Sequence, residues 1–205
     1  MKQAGQPPAR FRLSAMNAEK LSPGELLIAE FAYLGQTAFQ TNEDRARATS
    51  FYLVTFGSFI AALVTTQFVL PPEQIPLLDW GFAGLFALLA FLGVSTIVKL
   101  ARLRQAWFTS VRAMNQVKEY YAAHCDGLAK AFAFNNASLP RKFQWKSLGG
   151  LMMLEVALVG ALTAALACFF ALMALALSGA WFWLTPLTAL LFLTLEIRLY
   201  LFLLK

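Results

Sequence analysis

Four stretches of this chain, 51–70, 80–98, 148–177 and a last run ending at Lys205, are strongly apolar. Each is as long as the roughly 20 residues that a helix needs to cross a bilayer. Only 14% of the residues are charged and 59% are hydrophobic. A soluble domain usually carries about 25% charged residues, so the chain reads as a helical membrane protein.

The only long polar stretch between the two pairs of apolar runs is 99–134. It holds no Pro, and no Gly before Gly127. Leu100, Leu103, Trp107, Val111, Met114, Val117, Tyr121, Cys125, Leu128 and Phe132 recur at three- and four-residue steps, the repeat of one helix face. Arg102, Arg104, Arg112, Lys118, Glu119, Asp126 and Lys130 take the other face. A helix of this length is on the order of 50 Å long. A lone rod cannot bury such a stripe, so it needs the N-terminal segment or another copy against it.

Ahead of the first run, residues 1–21 read as a basic flexible tail without the apolar core of a secretory leader. Ser22-Pro23-Gly24-Glu25 is a helix start: Ser22 caps, Pro23 suits the first position and Glu25 the third. Leu27, Phe31, Leu34, Ala38 and Phe39 make 22–49 an amphipathic helix whose polar side is acidic. A helix lying on a membrane surface normally offers Lys or Arg there, so this one is expected to pack on the long basic helix. Thr41 or Asn42 is placed to cap a fresh helix, or the helix runs on unbroken. Further along, Asn135 to Pro140 is a turn by composition. The rows Gly84, Ala87, Ala90, Gly93 and Gly160, Ala164, Cys168, with Ala157, Ala161 and Ala165, allow close helix approach.

The expected architecture is all-α and polytopic. It has four transmembrane helices in two hairpins (50–98 and 148–205), joined by a cytoplasmic helix and turn (99–147). Charge sets the orientation. Lys2, Arg10, Arg12, Lys20, Arg45 and Arg47 precede the first hairpin, and 99–147 holds a further basic set. The loops 71–79 and 178–183 hold no Lys or Arg. By the positive-inside rule both termini and the middle segment are cytoplasmic. The same rule accounts for the net charge of +6 without nucleic acid as a partner.

Glu155, Glu196 and Arg198 are the charges at membrane depth. Such groups face the protein interior, pair, or mark ion and proton pathways. An antiparallel pairing of the third and fourth spans brings Glu155 and Arg198 to similar depth near the inner interface, where Arg can snorkel, which predicts a structural ion pair there ahead of an ion or proton pathway. Glu196 lies deeper and is the better pathway candidate. Arg45, Arg47, Arg112, Asn115 and Lys118 are the candidates for contact with a partner or with anionic lipid.

Asp44-Arg45, Arg47-Ala48 and Ser50-Phe51, with Leu53, resemble the entry to the first span in the RipA-type octameric family of small bacterial membrane proteins. Trp107, Ser110, Arg112, Asn115 and Lys118 are similar to that family's cytoplasmic helix. That resemblance covers about residues 25–125. A similar layout, a helix, two spans and a trailing helix, occurs in SLATT-type membrane effectors, although those lack a second hairpin. These resemblances imply a homo-oligomeric assembly in a bacterial plasma membrane, with a pore in the effector cases.

No catalytic constellation is present. Ser110, Arg112 and His124 do not make a nucleophile with its base, and Gly149-Gly150 has no phosphate-loop context. The lone His124 and the separated Cys125 and Cys168 suggest neither a metal site nor a disulfide. No enzyme, cofactor or metal is expected. The reading is a lipid-embedded homo-oligomer, a pore or a defence-type effector being its possible forms. The alternative is a membrane anchor or accessory subunit for a cytoplasmic protein, with transport or membrane-enzyme activity ranked lower.

Overall fold

The computed structural model describes residues 22–67, 75–124, 130, 132, 135–139, 143–145, 147–177 and 179–205. Among the described residues the long elements are all helices: α1 (Pro23–Gln67), α2 (Ile75–His124), α3 (Leu148–Ala174) and α4 (Leu184–Leu203). Short 3-10 turns form at Asn136–Ser138 and Gly179–Trp183. All four long helices are apolar and long enough to cross a membrane, the pattern of a multi-pass membrane protein.

Ser22 starts α1 as its sequence suggests, its Oγ accepting from the Glu25 amide at 3.2 Å. No second start follows. Thr41 does not cap; its hydroxyl donates back to the carbonyls of Ala38 (2.8 Å) and Thr37 (3.1 Å). The Asn42 carbonyl accepts from the Arg45 guanidinium one turn on. With both candidate caps turned onto their own helix, the amphipathic segment and the first span are one 45-residue helix. The second span and the basic segment likewise form one 50-residue helix. That helix is described to His124; the part of the expected rod at 125–129 lies outside the described residues. Asn135 and Ser138 cap the following turn reciprocally. Ser147 caps α3 through the Gly150 amide at 3.2 Å.

The helices pack as a rhombus. α2 and α3 share the largest interface; α1 lies along α2 and also touches α3, while α4 lies along α3 and also touches α2. Two apolar clusters fill it. Ile97, Leu100, Met153, Val156 and Tyr200 fill the end near Arg45 and Arg104, here called the arginine end. Phe82, Phe86, Leu89 and Phe170 fill the other, Phe86 and Phe170 stacking with centroids 5.7 Å apart. The small-residue rows are buried at these seams, except that Gly84 and Ala87 are exposed and Cys168 is half-buried. Outside, Phe51, Val54, Leu88, Phe91, Leu158, Leu162, Leu190, Leu191 and Phe202 form a surface of exposed large apolar side chains. A bilayer, unlike water, covers such a surface without penalty.

Beyond the bundle the first half of α1 runs along the second half of α2. Gly35 faces Met114, and the Lys118 ammonium lies 5.9 Å from the Phe31 ring. The expected packing of the N-terminal helix on the apolar stripe is therefore present. Leu103, Trp107, Val111, Met114, Val117 and Tyr121 are half-buried in it.

Candidate functional site

The most unusual group in the bundle is Glu196, 0% exposed, with no hydrogen-bond partner for either carboxylate oxygen. It reaches its position through a gap between α2 and α3. At Gly160 a Cβ would lie 2.6 Å from Glu196 Oε2 and 2.8 Å from Cδ. At Gly93 a Cβ would lie 3.3 Å from Glu196 Oε1 and 2.7 Å from the Tyr52 hydroxyl. Two glycines on the central helices thus leave a window. Glu196 enters it from α4 on one side and Tyr52 from α1 on the other. Thr163 is fully buried near by, its hydroxyl donating to the Gly160 carbonyl at 2.7 Å. The Tyr52 hydroxyl makes no hydrogen bond of ordinary geometry, although it lies close enough to Thr163 to interact with it. The Tyr52 ring lines a cavity of about 80 Å³ with Thr55, Ser95, Thr96 and Lys99.

A carboxylate without a counter-charge in an apolar interior costs several kcal/mol, so such acids pair, bind a cation or hold a proton. Gly160 is in contact with this carboxyl group, which leaves room for a proton and none for a hydrated ion.

A second polar layer closes the arginine end. Arg45 and Arg104 are 5% and 6% exposed and converge on Gly149 in the first turn of α3. Burial lowers the pKa of both guanidinium groups, and the charge of Arg45 lowers that of Arg104 further. Both stay charged, as arginines do. Arg104 also stacks over Trp107 at 4.8 Å and Phe108 at 5.1 Å.

The other sequence candidates are dispersed. Arg47 is exposed and pairs with Glu43 at 3.6 Å, a surface ion pair of little weight. Arg112 is exposed and Lys118 half-buried. Asn115, a contact candidate through its place in the family likeness, is 2% exposed, so it is not available to another molecule. The expected ion pair is absent: Glu155 and Arg198 are both exposed and no salt bridge joins them. Glu196, not Glu155, is the interior acid. Tyr52, Gly93, Gly160 and Thr163 were not singled out as a constellation by sequence, because no spacing links four residues on three helices. His124 ends α2 exposed, its Nδ1 2.7 Å from the Tyr120 carbonyl.

No family model matches this chain, and no curated protein or solved structure matches it either. The likeness to RipA-type proteins rests on the residues quoted for it, and the likeness to SLATT-type proteins on layout.

Proposed function

We propose that this chain is a bacterial plasma-membrane protein of four spans in two hairpins that assembles as a homo-oligomer. Both ends of the chain and the paired arms of α1 and α2 lie in the cytoplasm. The charge asymmetry of the loops supports the orientation. The observation that carries assembly is the outer surface of the arms. The 28 residues 22–49 amount to about 40 Å of helix beyond the bilayer. Leu26, Ile28, Tyr33 and Phe39 on α1 and Tyr120 on α2 are exposed there. An apolar cleft of about 330 Å³ opens between Leu27, Ile28, Phe31, Val117 and Tyr121. Large apolar side chains left in water on two sides of the arm are the kind that a protein interface covers.

A pore in such an assembly runs between copies, because Phe86, Leu89, Met153 and Phe170 fill the interior of one copy. The mass of the detergent-solubilised protein by light scattering tests the proposal. Several chains per particle are expected; the mass of one chain at micromolar protein refutes it. Recovery with a stoichiometric cytoplasmic protein instead favours the anchor reading.

One observation favours a second reading, a proton pathway. Glu196 is buried and unpartnered beside Tyr52, whose cavity reaches Lys99. Proteoliposomes carrying a pH-sensitive dye test it: flux through the wild type and its loss in Glu196→Gln are expected. Equal flux in the two proteins refutes it.

A further inference from the structure

Glu155 and Arg198 face away from their own bundle. Glu155 shares its exposed side of α3 with Leu151, Leu158 and Leu162, four and three residues away or one further turn on. Arg198 shares its exposed side of α4 with Leu191, Leu195 and Phe202 in the same spacing. Both charges therefore stand in the middle of surfaces that are otherwise suited to lipid tails.

Their depths match. The contact between Gly160 and Glu196 fixes the register of α3 against α4. From that level Glu155 lies five residues and Arg198 two residues toward the arginine end, about 7.5 Å and 3 Å along the helix axes. The difference is within the reach of the two side chains. Their directions do not match within one copy. At about 100° per residue, Arg198 points some 160° away from Glu196, and Glu155 some 140° away from Gly160. Each thus turns its back on the α3–α4 seam.

We infer that Glu155 of one copy pairs with Arg198 of a second copy, across an interface between the exposed side of α3 and the exposed side of α4. Opposite charges at one depth, each on an apolar surface and each without a partner, complement one another. A lone charge facing lipid is unfavourable, and pairing removes both at once. The two surfaces differ, so the contact is head-to-tail. Each copy then has one surface of each kind to offer, and repetition about an axis closes a ring.

This rests on the homo-oligomer proposed above and goes beyond it by naming the membrane-embedded contact. The test uses the full chain with Cys125 and Cys168 replaced by alanine. Copies carrying Glu155→Cys and copies carrying Arg198→Cys are co-expressed and oxidised in native membranes. Disulfide-linked dimers containing one copy of each kind are expected. In parallel, Glu155→Arg and Arg198→Glu are each expected to shift the solubilised protein to single-chain mass, and the double exchange to restore the assembly. Mixed dimers with rescue support the contact. A multi-chain assembly that forms no mixed dimers and ignores both reversals overturns the pair and leaves oligomerisation standing. A wild-type protein of single-chain mass overturns both. Charges that reach the headgroups separately predict neither cross-linking nor rescue.

Discussion

Replacing Gly160 by alanine tests whether the glycine window holds the Glu196 carboxyl. The added Cβ would lie 2.6 Å from Oε2 and 2.8 Å from Cδ, well inside van der Waals contact. The carboxyl has little room to retreat, because the Tyr52 hydroxyl stands on the far side of the window at Gly93. Overpacking of this kind costs about 1–3 kcal/mol. Alanine in a helix interior returns up to about 1 kcal/mol relative to glycine. The net expectation is a loss of about 0.5–2 kcal/mol. Gly84→Ala supplies the reference, since a Cβ there meets nothing within 4 Å. It should be neutral or slightly stabilising. Glu196→Ala removes the group that the new methyl strikes, so Gly160→Ala in that background should resemble Gly84→Ala. The coupling between positions 160 and 196 should then be about 1–3 kcal/mol, the overpacking cost itself, within the roughly 0.5–3 kcal/mol found for residues in contact. Denaturation in mild detergent, followed by circular dichroism, measures all four variants. Equal effects of Gly160→Ala with and without Glu196 would refute the window.

Three further outcomes follow from the packing. Phe170→Ala removes the ring between Phe82 and Phe86; about 1–3 kcal/mol should be lost in detergent, less than the 3–5 kcal/mol of a water-soluble core, because burial from lipid lacks the hydrophobic term. Ser22→Ala removes the cap bonded to the Glu25 amide; about 1 kcal/mol is lost locally, and hydrogen exchange in the first turn of α1 should quicken roughly fivefold with no change elsewhere. Gln116 is exposed on the arm of α2. Gln116→Cys, with Cys125 and Cys168 replaced by alanine, should resist impermeant thiol reagents in whole cells and react in inverted vesicles; labelling from outside reverses the orientation.

The readable and the unreadable parts of the chain divide along physical lines. Ser22 and the turn at Asn135 were legible because a cap is a contact between residues three apart. The Thr41–Asn42 start was ambiguous for the same local reason: those side chains bond equally well to their own helix, and the packing of α1 on α2 keeps that helix going. Asn115 was misread because its place in a family likeness carries no sign of the tertiary packing that buries it.

Sequence by itself determined that there are four lipid-compatible helices and where they lie, since the apolar length needed to cross a bilayer is a property of each segment alone. It also held the charge asymmetry on which the proposed orientation rests. Which way Glu155, Glu196 and Arg198 face was decided by tertiary packing alone. A helix that is apolar on every side carries no stripe to mark its inner face. The inward position of Glu196 comes from two glycines on other helices, brought together only when α2 meets α3 and α4 closes against them.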